Sequence, residues 1–108
     1  MSDEAAFIAA LRGIIRHPGA RDLMDDAAVL PPPIGRDLVV THDMIAEGVH
    51  FLPDDPPGDV AWKLVAVNLS DLAAKGAKPI GVILGYTLST SEWDAAFVAG
   101  LGRVLAHF

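Results

Sequence analysis

The chain has 108 residues, and its 14 acidic and 8 basic side chains give a formal net charge of −6. A chain of this length forms one domain rather than two. It has no cysteine, which excludes disulfides, thiolate zinc sites, iron–sulfur clusters and a cysteine nucleophile. The acidic balance argues against nucleic acid or an anionic membrane as a partner, because both require a basic patch. A phosphate-bearing ligand would therefore need metal ions as intermediaries.

The first half of the chain predicts one helix followed by two strands. Residues 3–17 carry apolar side chains at helical spacing, and Pro18 ends that helix. Residues 27–30 and 38–43 are short apolar runs on either side of a proline-rich turn, which is typical of two neighbouring strands.

The next predicted helix covers residues 60–75. Asp59 is suited to cap its start, because a carboxylate accepts hydrogen bonds from unpaired N–H groups, and Gly76 is suited to stop it. Residues 80–88 follow as a continuous apolar run, which predicts a strand buried on both faces.

Ser91 resembles the cap of a last helix that runs to the chain end, with Asp94 at the position of the capping-box acid. The order helix, strand, strand, helix, strand, helix predicts an α/β (α+β) domain with helices packed on a sheet. No apolar run is long enough to span a bilayer, and residues 1–4 are acidic where a signal peptide is basic. We therefore expect a cytoplasmic protein.

Adjacent carboxylates at Asp25 and Asp26 form the first candidate site. They predict either a solvated acidic turn or a site where a cation relieves their repulsion. Mg²⁺ is suited to that role, because it prefers hard oxygen ligands and shares substrate phosphates with one or two carboxylates.

The second predicted strand ends in Thr41, His42 and Asp43. Strand alternation places Thr41 and Asp43 on one face and His42 on the other, which fits either a metal site or an Asp that closes a turn. His50 ends a glycine-bearing bend, where a packed or surface imidazole is the alternative to a functional one.

The helix over residues 60–75 carries polar side chains in its middle, where such residues have mediocre helix propensity. Asn68 and Asp71 are i,i+3 neighbours on one face of it. The alternative to a functional site here is a solvated helix face with an Asp71–Lys75 ion pair.

Three strings of the sequence resemble the N-terminal half of the thiamine-monophosphate kinase family, and the resemblance covers essentially the whole chain. The strings are DDAAVL, THDMIAEGVHF and VAVNLSDLAAKGAKP, which begin at Asp25, Thr41 and Val65. Relatives in the aminoimidazole ribonucleotide synthetase-like superfamily share part of the third string, and the longer strings favour the kinase family among them.

The resemblance implies the N-terminal ATP-binding domain of the aminoimidazole ribonucleotide synthetase-like fold, with helices packed on a mixed sheet that pairs across a homodimer. It implies a kinase of thiamine diphosphate biosynthesis that transfers the γ-phosphoryl group of ATP to thiamine phosphate with the help of Mg²⁺. It also implies a substrate contact at His50, a nucleotide contact at Asn68, and metal ligands at Asp25, Asp26, Thr41, His42, Asp43 and Asp71.

The chain departs from the family in two residues. Met24 and His42 stand where the family usually has glycine and threonine. Residues 1–108 are expected to be a single N-terminal metal-binding and dimerisation domain without the family's C-terminal domain, and to be inactive alone. The alternatives are a non-catalytic dimerisation module of the same fold and a superfamily sibling with another phosphate acceptor.

Overall fold

A computed structural model describes residues 3–25, 27–31 and 33–108. The helices are α1 (Glu4–Arg12), α2 (Pro57–Ala74) and α3 (Ser91–His107), and a short 3₁₀ segment (Pro18–Leu23) follows α1. None of the helices in this part of the chain is long and apolar enough to cross a bilayer.

The hydrophobic core lies between α2 and α3 and is completed by α1. Both α2 and α3 bury several side chains that recur at helical spacing, and α1 adds the buried Phe7 and the half-buried Leu11. Full burial of one such aliphatic or aromatic side chain contributes roughly 1.5–3 kcal/mol. The buried apolar residues are Phe7, Val60, Ala61, Leu64, Val65, Phe97, Val98, Leu101 and Val104.

A stack of aromatic rings connects the helices to the loops around them. The ring centroid of Tyr86 lies 4.5 Å from that of Phe7 and 4.5 Å from that of Phe97. Trp93 lies 5.7 Å from Phe97 and 6.1 Å from Phe51. The stack therefore joins α1, α3, the run 80–88 and the loop before α2.

Two glycines let α3 approach its neighbours closely. A Cβ atom at Gly100 would lie 2.5 Å from Cα of Gly58, so the backbones of α2 and α3 touch at this pair. Gly102 faces Ile14, whose Cγ2 atom would lie 3.0 Å from an added Cβ. Positions two apart in a helix point in nearly opposite directions, so α3 is packed on both sides.

The end of α2 confirms Gly76 as its predicted stop. Gly76 has φ +66, a left-handed conformation that glycine adopts without a steric penalty. Its N–H donates to the carbonyl of Ala73, and the N–H of Ala77 donates to the carbonyl of Leu72, both at 3.0 Å. These two bonds form a Schellman motif, which satisfies carbonyls left free by the helix end.

The starts of α2 and α3 correct two predicted caps. The second helix begins at Pro57, so Asp59 lies in its first turn, and no side chain of the described residues caps it. The third helix is capped by Thr90, whose hydroxyl accepts a hydrogen bond from the N–H of Trp93 at 3.2 Å, and Ser91 is its first residue. Proline suits a first turn because it needs no hydrogen-bond acceptor there.

The first helix is shorter than predicted. It begins after Asp3, whose carboxylate accepts from the N–H of Ala5 at 3.0 Å, and it ends at Arg12 rather than near His17. Gly13 follows as the C-cap, and its N–H donates to the carbonyl of Ala10 at 3.1 Å. The apolar period continues beyond this turn, which is why periodicity alone overestimated the length.

The described residues contain no β-strand, so the mixed sheet is not confirmed. An isolated bridge joins Glu47 and Phe51. Within the described part, residues 38–45 and 78–88 form no main-chain hydrogen bonds with other main-chain groups. The helical core is complete within one chain, whereas a sheet needs a neighbouring strand to pair its N–H and C=O groups. The segments 27–30, 38–43 and 80–88, which the sequence predicts as strands, thus have no neighbouring strand to pair with among the described residues.

Candidate metal and nucleotide site

The carboxamide of Asn68 holds the main chain of Asp43 against α2. Its Oδ1 atom accepts from the N–H of Asp43 at 3.0 Å, and its Nδ2 atom donates to the carbonyl of Asp43 at 3.4 Å. The same Nδ2 atom donates to the carbonyl of Leu64 at 2.8 Å, one turn earlier in the helix. These bonds bring together two predicted site residues that are 25 positions apart in sequence.

Asp71 lies one turn after Asn68 on the same face of α2, because residues three apart in a helix are neighbours. The side chains of Asp43 and Asp71 are exposed, and neither has a hydrogen-bond or ion-pair partner among the described residues. The Asp71–Lys75 ion pair that the sequence spacing permits is not formed. Two free carboxylates therefore flank the half-buried Asn68.

His42 lies against Gly85 in the run 80–88. A Cβ atom at Gly85 would come within 3.0 Å of ring atoms of His42 and within 2.6 Å of Cγ of Met44. Only a residue without a side chain leaves room for this approach. The segment that carries Thr41, His42 and Asp43 is thus packed between α2 on one side and Gly85 on the other.

Asp25 lies in a turn that α1 helps to hold. Its carboxylate pairs with the guanidinium of Arg21 at 3.5 Å and accepts weakly from the N–H of Ala27 at 3.4 Å. Arg12 donates to the carbonyls of residues 22 and 23, at 2.8 and 3.2 Å. Met24, in place of the family glycine, has φ −81 and ψ −18, which any residue adopts easily. Asp26 lies outside the described residues.

His50 borders a small polar cleft at the start of α2. Its Nδ1 atom accepts from the N–H of Ala46 at 2.9 Å, so the neutral ring carries its proton on Nε2. Lys63 donates from Nζ to the His50 carbonyl. The cleft has a volume of about 210 Å³ and is lined by His50, Phe51, Asp55, Asp59, Val60 and Lys63. Such a cleft can offer an N–H donor to an anionic oxygen.

The structure joins Asp43 to Asn68 by hydrogen bonds, with Thr41 and His42 directly before Asp43 in the chain and Asp71 one turn after Asn68 on α2. Asp25 and His50 make no hydrogen bond or ion pair with this group among the described residues. No three His, Asp or Glu side chains in that part of the chain lie close enough to hold a metal by themselves. Mg²⁺ commonly uses only one or two carboxylates together with substrate phosphates, so the donor chemistry of Asp43 and Asp71 still fits this ion.

Sequence reasoning missed the role of Asp94 and Tyr86. Asp94 does not act as a capping-box acid for Ser91; its carboxylate is buried and accepts from the hydroxyl of Tyr86 and from the N–H of Ser89, the latter at 3.0 Å. Burial raises the pKa of Tyr86 well above its usual value of 10, and the hydrogen bond to Asp94 and its negative charge add to the effect. The sequence signal for this pair was an acidic residue in the first turn of the last helix, shortly after the only tyrosine of the chain.

The described residues thus form a helical core with the exposed carboxylates of Asp43 and Asp71 at α2. Residues 24–108 match the family model described as AIR synthase related protein, N-terminal domain. The chain belongs to this family.

Curated relatives carry the name thiamine-monophosphate kinase, which confirms the resemblance predicted from the three strings. The protein from Caulobacter vibrioides is 57% identical over 75 residues, which cover 68% of this chain and 21% of the relative. Those from Synechococcus elongatus and Escherichia coli K12 are 43% and 42% identical, each over 78% of this chain and 27% and 26% of the relative. The chain thus spans about a quarter of the length of these relatives. No solved structure matches it.

Proposed function

We propose that this chain is the metal- and nucleotide-binding part of an ATP-dependent kinase that converts thiamine phosphate to thiamine diphosphate in the cytoplasm. One observation supports the proposal: the hydrogen bonds that join Asp43 to the helix carrying Asp71 lie within residues 24–108, which match the AIR synthase related family, in a chain that is similar to curated thiamine-monophosphate kinases. Because the chain spans about a quarter of those relatives, we expect the 108 residues alone to have little activity.

The chain's own residues would act by holding and orienting phosphates. Phosphoryl transfer needs little covalent chemistry from the protein, and Mg²⁺, when bound, neutralises the charge that develops on the phosphoryl oxygens. The proposed ligands are Asp25, Asp26, Thr41, His42, Asp43 and Asp71. The Nε2–H of His50 is proposed to donate to the phosphate acceptor, and Asn68 is proposed to lie beside the nucleotide.

The proposal can be tested in a chimera, because the chain spans about a quarter of the length of its relatives. We suggest replacing the matching segment of the Caulobacter vibrioides kinase with that of this chain and measuring thiamine diphosphate formation with ATP and Mg²⁺. We expect substantial activity. A folded chimera that makes no thiamine diphosphate would contradict the proposed function.

Asp71→Asn in this chimera should lower kcat/KM by ~100-fold or more, because a metal ligand supplies several kcal/mol of transition-state stabilisation. Glu92→Gln removes an exposed acid from the first turn of α3 and serves as the control for loss of charge. Equal rates for Asp71→Asn and the control would remove Asp71 from the metal site.

We also propose that two copies pair through residues 80–88. The side chains of Ile80, Val82 and Ile83 are 56%, 45% and 65% exposed, and within the described part of the chain this apolar run forms no hydrogen bonds between main-chain groups. Both features favour a neighbouring strand from a second copy, which would also supply the predicted sheet.

The same exposed run favours the alternative of a non-catalytic dimerisation module. A calorimetric titration of the chain with Mg²⁺ and a nonhydrolysable ATP analogue separates the two functions. Binding that is saturable and depends on Asp43 supports the kinase domain, whereas no heat and no thermal shift support the module. A sibling with another phosphate acceptor would be distinguished by profiling acceptors with the chimera.

A further inference from the structure

Asn68 contacts both main-chain polar groups of Asp43, much as a neighbouring strand would. Its Nδ2 atom also donates to the carbonyl of Leu64, which fixes the orientation of the carboxamide on α2. The hydrogen bond to Leu64 therefore fixes the orientation of the Asn68 carboxamide independently of its bonds to Asp43. With bonds of 3.0 and 3.4 Å, it fixes the backbone of Asp43 relative to the helix.

These bonds leave the carboxylate of Asp43 free. Among the described residues, the main chain over 38–45 has no main-chain hydrogen-bond partner, so Asn68 is its hydrogen-bonded connection to α2. Asp71 belongs to the same helix, three positions later. Asn68 consequently holds the main chain of Asp43, from which its carboxylate extends, at a fixed position relative to the helix that carries Asp71.

We infer that Asn68 is a positioning residue that holds Asp43 and Asp71 at the separation required for them to share one Mg²⁺ ion. This inference rests on the proposed function, because it assumes that the two carboxylates bind the metal. It assigns Asn68 a role through Asp43 rather than a direct contact with the ion.

Two substitutions separate positioning from simple folding. Asn68→Ala removes the carboxamide, whereas Asn68→Gln keeps its chemistry but extends it by one methylene and so displaces Asp43. Ser70→Ala, on an exposed position of the same helix, is the control. Circular dichroism and thermal unfolding identify the variants that keep the helical core, and Asn68→Gln remains informative if Asn68→Ala does not fold.

The first measurement needs no metal. In the NMR spectrum of the chain, the Asp43 amide should exchange with solvent faster in both Asn68 variants than in the wild type and the Ser70→Ala control. Unchanged exchange at Asp43 would overturn the inference whatever the fate of the metal site.

The second measurement is Mg²⁺ affinity by calorimetry on the same proteins. We expect Asn68→Ala and Asn68→Gln to bind about 10-fold more weakly, as is usual when a group that orients a ligand is lost. In an Asp43→Ala background, Asn68→Ala should cause no further loss, because residues that act through one another are not additive. A further full loss there would show that Asn68 acts independently and would overturn the inference.

The outcomes also separate this inference from the proposed site. If Asp43→Ala and Asp71→Ala weaken Mg²⁺ binding but the Asn68 variants do not, the site stands and the positioning role is wrong. If the wild type shows no saturable binding, or the two aspartate variants bind as tightly as the wild type, the proposed metal site is wrong and the inference with it.

Discussion

Tyr86 and Asp94 form a hydrogen-bonded pair that fastens the end of the run 80–88 to α3. The phenol donates to the carboxylate, which also accepts from the N–H of Ser89. Asp94 is only 2% exposed, so its charge would be costly to bury without these donors. The buried carboxylate of Asp94 thus joins the run 80–88 to α3.

The raised pKa of Tyr86 gives a pH dependence of defined sign. Because the pKa is higher in the folded state than the value of about 10 in the unfolded state, the pair stabilises the fold fully below pH 10. That contribution is lost as the pH rises above 10, where only the unfolded chain ionises readily. Near neutral pH the stabilising contribution of the pair therefore does not change with pH.

Tyr86→Phe should therefore lower the free energy of unfolding by about 1 kcal/mol or more near neutral pH, and the gap should shrink above pH 10. Thermal unfolding of both proteins at a series of pH values measures this. Tyr86 is the only tyrosine, so tyrosinate absorbance reports on it alone and should appear well above pH 10 in the folded wild type. If the difference in free energy of unfolding stayed constant with pH, or if Tyr86 ionised near pH 10 in the folded protein, the pairing would be contradicted.

At the scale of elements, the contact between Gly58 and Gly100 determines how closely α2 and α3 can pack. A Cβ atom at Gly100 would meet backbone atoms, which cannot move aside as the end of a side chain can. The helices would have to separate along the core that they share.

We expect Gly100→Ala to lower the free energy of unfolding by about 1–3 kcal/mol, although alanine has the higher helix propensity. Gly102→Ala is the matched control, because the Ile14 side chain it meets can rotate away, and we expect a much smaller change. Denaturant unfolding of the two variants measures the difference. If Gly100→Ala and Gly102→Ala were both at least as stable as the wild type, the close contact between α2 and α3 at Gly58 and Gly100 would be wrong.

Sequence periodicity predicted the three helices because their buried faces recur at helical spacing, and Gly76 marked a true stop. It misplaced the end of α1, because Ile14 and Ile15 continue the apolar period after the chain has turned at Gly13. Asp43, Asn68 and Asp71 were also predicted from sequence as candidate site residues. Their connection was not, because no local pattern records a hydrogen bond between residues 25 positions apart.

At the scale of the whole molecule, the helical core is closed, whereas Ile80, Val82 and Ile83 in the run 80–88 are left exposed. Ile83 is 65% exposed there, and Ile34, outside the run, is 99% exposed. The two isoleucines therefore allow a matched test of the proposed pairing of two copies.

Ile83→Asp should abolish dimerisation and leave the helical content unchanged, because it places a charge on the proposed interface but not in the core. Ile34→Asp should remain a dimer. Sedimentation at micromolar concentration checks both against the 11.4 kDa mass of one chain. A monomeric wild type, or a dimeric Ile83→Asp protein, would contradict pairing through this run.

The aromatic stack allows ligand binding to be followed by tryptophan fluorescence. Trp93 lies between Phe97 of the core and Phe51 of the segment that carries His50, so its emission depends on whether that segment is seated. The other tryptophan, Trp62, lies beside His107 and Phe108 instead. A Trp62→Phe protein therefore carries a single tryptophan, which lies next to the proposed substrate cleft and can be excited selectively without an added dye.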